Sequence, residues 1–371
     1  MKRTLSFLMA CAMTAALMTG CSSSSKESQE TNAPVQTEAT TAAKPLQTTA
    51  APAATAAEET EKPEVSLEAP GASHLRIGSL KGPTSMGLVS LMDRASKDAA
   101  EGDYEFIMVT DASELVAQMV SGDLDIALVP ANMASILYQK TNHGINVLDI
   151  NTLGVLYVVA ADDSIKSIAD LKGKTIYMTG KGTTPDYAFQ YLLAANGLIS
   201  DDVTIEYKSE ATEVAAVLAQ DSSAIGLLPQ PFVTVAMAQN ENLKMVLDLT
   251  KEWDNVQSEK GGSLVTGVTV CRSQLLEDAA AAKAVHTFMK EHKESAEFAN
   301  ANVEQTAELV AGAGIIEKAP VAAKAIPYCS ITYIDGEEMR EKLYGYLSIL
   351  YEQDPSSIGG ELPDEAFFYL P

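Results

Sequence analysis

Lys174-Thr175-Ile176-Tyr177-Met178, followed by Gly180-Lys181-Gly182-Thr183-Thr184-Pro185-Asp186, is the stretch on which the fold turns. A short apolar run opens into a Gly/Thr-rich loop, and Phe189, Leu192 and Leu193 then recur at helical spacing, which reads as strand, loop, helix. A hundred residues earlier the same order occurs. Leu75-Arg76-Ile77-Gly78-Ser79 leads to Lys81-Gly82-Pro83-Thr84-Ser85-Met86, and then to Leu88, Leu91 and Met92. The first half continues with a strand at Tyr104 to Val109, a helix at Glu114 to Val120 and a strand at Asp125 to Val129, after which Pro130 opens another helix. The second half continues with a strand at Val203 to Tyr207, a helix at Glu213 to Ala219 and a strand at Ala224 to Leu228, followed by Pro229. Gly82 to Pro130 is 48 positions and Gly182 to Pro229 is 47. Matched spacing of this kind predicts two similar α/β lobes. The competing account is chance recurrence of common α/β punctuation, because no long identity underlies the match.

Working outward, Leu153 to Ala161 is a continuous apolar run that reads as a buried strand crossing from one lobe to the other. Beyond Trp253, a Gly/Ser break from Ser258 to Ser263 precedes Leu264 to Cys271, the expected return strand. The rest is mostly helical, over Ala279 to Lys290, Glu304 to Val310 and Glu337 to Tyr351, with Met339, Leu343, Leu347 and Leu350 on one face. The predicted fold class is therefore α/β, with two Rossmann-like lobes joined by crossing strands. Lobe I takes residues 71–160 plus 255–371 and lobe II residues 161–254. Two lobes on crossing strands permit hinge closure around a ligand.

The first seventy residues read differently. Lys2 and Arg3 precede an apolar run from Leu5 to Leu17, thirteen residues and too short for a membrane span of about twenty. Residues 1–20 are read as a secretory signal peptide. Its ending, Met18-Thr19-Gly20-Cys21, resembles the bacterial lipobox, with Met18 where Leu is commonest, and implies lipidation of Cys21. The alternative is an ordinary signal cut elsewhere. Positions 22–70 hold 49 residues with no Gly, no aromatic and four large aliphatics. Such a segment buries too little apolar surface to offset its ordering entropy, so residues 21–70 are expected to form a disordered tether on a lipid anchor.

Composition narrows the function. There are 26 Lys plus Arg against 50 Asp plus Glu, a formal charge of −24. That balance disfavours a nucleic-acid partner, and it leaves an anionic small ligand open because backbone dipoles act locally. The four His (His74, His143, His286, His292) have no metal-ligand spacing, and no metal or cofactor is expected. No GxxxxGK[ST], GxSxG or HExxH occurs. Cys271 and Cys329 are expected to be buried free thiols, with a disulfide between them as the alternative.

In open α/β sheets, ligands bind beyond the carboxyl ends of the strands, where helix N-termini present unpaired N–H groups to anions and acceptor oxygens. Four such places are predicted, and the candidate ligand contacts are Gly82, Thr84, Ser85 and Met86; Asn132; Gly182, Thr183, Thr184 and Asp186; and Gln230 with Phe232. Each has a plainer role open to it. The hydroxyls and Asp186 are also good helix caps, Met86 and Phe232 are also good core residues, and Lys81 and Lys181 are equally consistent with solvated side chains.

Ile168-Ala169-Asp170-Leu171-Lys172-Gly173-Lys174, the Gly180-Lys181-Gly182-Thr183-Thr184 loop, Asn196-Gly197-Leu198 and Asp201-Asp202-Val203 together resemble the substrate-binding proteins of ABC importers. The branch is that of nitrate, sulfonate, taurine and thiamine-pyrimidine-precursor binders, with the type II periplasmic-binding fold. Gly122-Asp123-Leu124-Asp125-Ile126-Ala127 fits the same family, over roughly residues 75 to 300. The resemblance implies a monomeric extracytoplasmic receptor without enzymatic activity, which closes on one small solute and delivers it to a membrane permease and its ATPase. The cysteine-rich signature of the thiamine-precursor relatives is absent. No Arg lies in the four loops, so no bidentate anion clamp is evident. The rival reading is an enzyme on the same fold acting on a small carboxylate or menaquinone precursor. It is disfavoured by the secretion signal and by the lack of a paired nucleophile and base.

Overall fold

The computed structural model describes residues 73–257 and 262–371, and every structural statement below refers to these. The expected signal peptide, Cys21 and the tether lie outside them. The strands are β1 His74–Leu80, β2 Asp103–Val109, β3 Ile126–Pro130, β4 Ile145–Leu153, β5 Leu156–Ala160, β6 Thr175–Met178, β7 Thr204–Tyr207, β8 Ile225–Pro229, β9 Lys244–Asp248, β10 Val265–Arg272 and β11 Ile331–Ile334. They form two sheets, ordered β11-β4-β10-β3-β1-β2 and β7-β6-β8-β5-β9. In the first, β1 runs parallel to β2 and β3 while β10 is antiparallel to β3 and β4. In the second, β6 runs parallel to β7 and β8 while β5 is antiparallel to β8 and β9. The wiring of β2-β1-β3-β10-β4 is thus repeated by β7-β6-β8-β5-β9, as the matched spacing predicts. In each sheet the antiparallel strand comes from a crossing segment.

The physical reasons are local. β3 (IALVP) and β5 (LYVVA) are apolar on both faces and take inner positions. β2 carries Asp103 and Glu105 on its exposed positions and sits at an edge, where charge discourages further pairing. The run Leu153 to Ala161 is not one strand. It breaks at Gly154-Val155, with Leu153 in the first sheet and Leu156–Ala160, placed above in lobe I, paired in the second. A Cβ on Gly154 would stand 2.1 Å from Thr250 Oγ1 and 2.9 Å from Leu264 Cδ2, so only glycine fits where the outgoing and returning segments meet.

Helix Gly336–Gln353 buries Met339, Leu343, Leu347 and Leu350 completely, as its period predicts. Its Tyr346 ring lies 5.7 Å from Trp253, which lies 4.8 Å from Tyr191 of helix Thr184–Ala195. One apolar core therefore draws residues from both sheets through this helix. The helix expected over Ala279 to Lys290 runs on to Ala301. Cys271 and Cys329 are free and buried, and burial pushes both thiols up to about 12, which makes them unreactive. Among the described residues no helix is long and apolar enough to cross a membrane.

Two buried polar clusters stand inside the first sheet. Asp125, fully buried at the start of β3, accepts from Arg76 Nε (2.9 Å), Nη2 (3.0 Å) and backbone N (2.9 Å), and from Arg272 Nη2 (2.6 Å). Asp149 on β4 accepts from Thr269 Oγ1 at 2.8 Å, and its other oxygen is 3.4 Å from His292 Nδ1, both side chains being fully buried.

Candidate functional site

The first candidate loop follows β1. Helix Pro83–Met86 is a single turn, with Ser85 N and Met86 N donating to the Gly82 carbonyl. Thr84 Oγ1 donates to the Leu80 carbonyl at 3.1 Å; Ser85 Oγ also reaches that carbonyl and lies 2.7 Å from Ser79 Oγ. Ser85 and Met86 are fully buried, and Met86 packs with Val89, Ala296 and Ile331. In this structure both shape the loop from within, with the Ser85 hydroxyl engaged by Leu80 and Ser79. Thr84 stands at the rim: a Cβ on Gly267 would meet its methyl at 2.8 Å and Asn151 Oδ1 at 2.6 Å. Asn151, Thr269 and Asp149 continue below it as a hydrogen-bonded polar file, Asn151 Nδ2 donating to Thr269 Oγ1 at 3.1 Å. Asn151 and Gly267 are floor residues that the sequence reading missed; the faint signal was Asp149 and Asn151 alternating inside an apolar strand.

After β3, helix Ala131–Lys140 begins, and Asn132 lies in its first turn, nearly buried. After β6 comes the loop of Gly182 and Thr183, both exposed. Thr183, not Thr184, is the N-cap of helix Thr184–Ala195, and its hydroxyl donates back to the Gly180 carbonyl at 2.6 Å. Asp186 is committed to the loop. It accepts from Gly182 N at 2.8 Å and from Tyr207 OH at 2.7 Å, so both its oxygens brace the turn. Burial, and then the Asp186 carboxylate, push the Tyr207 phenol up to about 12, which keeps it a donor. Lys181 Nζ sits 5.4 Å over the same ring.

The two sheets meet here. Thr184 Oγ1, from the second sheet's side, donates to Asn132 Oδ1, from the first, at 3.3 Å, and both residues are buried. After β8, Gln230 is almost fully buried, its Oε1 accepting from Thr234 Oγ1 at 2.9 Å, so it too is held inward. Phe232 is half-buried beside Val233. Of the candidate positions, Asn132 and Thr184 are the pair that the structure brings into contact from the two sheets, while Thr84, Gly182 and Thr183 lie on the loops after β1 and β6. A cavity of about 750 Å³ lined by Asp162, Lys174, Tyr177, Asp221 and Ser223 lies elsewhere, at the amino ends of β6 and β8, and contains none of these. Among the described residues, no group of three or more His, Cys, Asp or Glu could hold a metal ion.

Two α/β sheets of repeated wiring, crossed twice by the chain, with Asn132 and Thr184 meeting at helix starts of the two, define a two-lobed periplasmic-binding fold. The chain belongs to the family of ABC-transporter phosphonate periplasmic substrate-binding proteins, which matches residues 95–296. A protein of Brucella abortus (strain 2308) described as a binding protein is 24% identical over 223 residues, 60% of this chain and 66% of that one. The chain thus spans just under two thirds of the length of the curated relatives it matches. Among solved structures, an ABC transporter protein from Parabacteroides distasonis has a TM-score of 0.67 at 22% identity, over 80% of this chain and 99% of its own. The periplasmic aliphatic sulphonate binding protein SsuA from Escherichia coli has a TM-score of 0.63 at 17% identity, over 81% of this chain and 92% of its own. At these identities the likeness is one of fold.

Proposed function

We propose that this protein is the solute receptor of an ABC importer, taking a small phosphonate- or sulfonate-type anion between its two lobes and presenting it to a permease. The reading rests chiefly on the meeting of Asn132 and Thr184 at helix starts of the two sheets, within a chain of the phosphonate-binding family. An anion's oxygens would be met by helix-start N–H groups, by the Asn132 amide and by threonine hydroxyls that turn away from Leu80, Gly180 and Asn132 on binding, without a cationic side chain. The enzymatic alternative has no support from the family or from the fold neighbours, which are transporter components. The lobes would be the first sheet with its helices and the second with its own.

A thermal-shift comparison of methylphosphonate, ethanesulfonate, taurine, nitrate and a neutral aminopyrimidine tests this. An accepted anion at a hundredfold its Kd should add about 2.7 kcal/mol and raise the melting temperature by several degrees. Thr183→Trp, at an exposed cap, should abolish that shift while leaving the unliganded melting temperature in place. Thr84 is a poorer site for such a test, because its burial makes a bulky replacement destabilising in itself. A shift with the pyrimidine alone would refute the anion.

We also propose, from the lipobox-like Met18-Thr19-Gly20-Cys21 and the polar stretch after it, that the receptor is lipid-anchored outside the cell membrane by Cys21 and works as a monomer. Cells fed radiolabelled palmitate should label the wild type and not Cys21→Ser. Equal labelling of both would sink the anchor.

A further inference from the structure

We infer that Asn132, Thr184, Tyr187 and the C-terminal turn 354–358 form a latch that holds the two lobes together without ligand, so that Tyr187 and Asp354 set affinity from outside the binding gap. This rests on the two-lobed receptor reading above. Asn132 is the centre of the latch. Its Oδ1 accepts from Thr184 Oγ1 at 3.3 Å, and its Nδ2 donates to the Ser357 carbonyl at 3.2 Å, so one amide joins the second-sheet helix to the C-terminal turn. One helical turn beyond Thr184, Tyr187 OH donates to Asp354 Oδ2 at 3.3 Å. The other oxygen of Asp354 is already taken by Ser356 N and Oγ, at 2.9 and 2.7 Å, which fixes the carboxylate for that contact.

The turn itself is fastened to the first sheet on both sides. Ser135 Oγ donates to the Ile358 carbonyl at 2.8 Å, and Tyr138 OH to Asp364 Oδ1 at 2.6 Å. Farther on, Phe367 is buried 5.0 Å from the Tyr138 ring, Phe368 bridges to Val147 of β4, and Tyr369 N donates to the Val147 carbonyl at 2.9 Å. The segment after helix Gly336–Gln353 is therefore a strap anchored on the first sheet and hooked from the second by Tyr187, while Thr184 holds Asn132, the residue that ties the strap to helix Ala131–Lys140. Those hooks are long hydrogen bonds, individually weak, as suits contacts that open and re-form. Loss of both should lower the closed-to-open ratio by about tenfold, and apparent affinity falls with the fraction of binding-competent molecules.

The chain carries its own reporter. Trp253 is its single tryptophan, fully buried between Tyr191 of the second-sheet helix and Tyr346 of the C-terminal helix. Acrylamide quenching of the ligand-free full-length protein should rise at least about twofold in Tyr187→Phe/Thr184→Val, with an unchanged helical circular-dichroism spectrum, and stay at the wild-type value in Tyr344→Phe, at an exposed position away from the hooks. Wild-type quenching in the double variant overturns the latch. In a second arm, methylphosphonate titrated into Tyr187→Phe and Asp354→Ala should bind about threefold to tenfold more weakly than to wild type. Equal affinity in those variants also overturns it. Raised quenching in a protein that binds none of the anions upholds the latch and refutes the ligand reading, so the two fail separately.

Discussion

Asp125→Ala is expected to lower the unfolding free energy by about 3–5 kcal/mol, read as a drop in the urea midpoint at unchanged slope. The carboxylate is fully buried and accepts from two guanidinium groups and a backbone N–H. Without it Arg272, itself almost completely buried, keeps a charge with no counterpart. Asp125→Leu with Arg76→Met and Arg272→Met should recover most of the loss, because an apolar triad of similar volume strands no charge. If the single variant costs under 1 kcal/mol, the pairing contributes nothing. Acid should act through the same group. Burial drives the Asp125 carboxyl upward, but hydrogen bonds from Arg76 and then Arg272 outweigh it and hold the carboxyl below the ordinary aspartate range. A depressed carboxyl contributes stability that is complete above its unfolded value, about 4, and is lost as pH falls through the folded value. Wild-type stability should therefore bend downward below about pH 4 through this group, and Asp125→Asn should lack that part of the bend.

His292→Ala is expected to cost about 2–5 kcal/mol, chiefly through lost packing. The imidazole stacks 5.5 Å from Phe288 and stands edge-on to Tyr333 at 5.5 Å, so its removal opens a cavity. The substitution also removes the ring that stands 3.4 Å from Asp149 Oδ2, an oxygen without a hydrogen-bond partner, on a carboxylate held by Thr269. A double-mutant cycle with Asp149→Asn isolates the pair: the two changes together should cost at least about 1 kcal/mol less than their sum. Simple additivity would show that the 3.4 Å contact carries no coupling. Because Asp149 heads the file through Thr269 and Asn151 to the floor beneath Thr84, methylphosphonate affinity should fall in His292→Ala as well.

Much of this architecture was legible in the chain. The two Lys-Gly loops and the apolar runs before them mark β1 and β6, and the 48 and 47 position spacings anticipate the shared strand order. β4 was not legible, because INVLDINTL places Asp149 and Asn151 in a strand whose interior positions are almost all buried. Those polar groups are tolerated through partners on β10 more than a hundred residues away, which no local pattern encodes. The break at Gly154 was hidden for a like reason, since what forbids a side chain there is Thr250 and Leu264. At the site, sequence located the helix starts but not how each hydroxyl is spent. Ser85 turns back to Leu80, Asp186 to Gly182, and Asn132 reaches Ser357, 225 positions on.

The order β3-β10-β4 also dictates a schedule. β10 lies between two strands that precede it by more than a hundred residues, and the whole second sheet is made before it. Until Arg272 has emerged, β3 and β4 have no partner between them and each presents an open edge. Closing that gap requires a long loop to be paid out first, which makes docking of β10 a late and slow event. The same schedule leaves any chain ending before Val265 with β3 open on one edge and β4 unpaired on both, prone to aggregate.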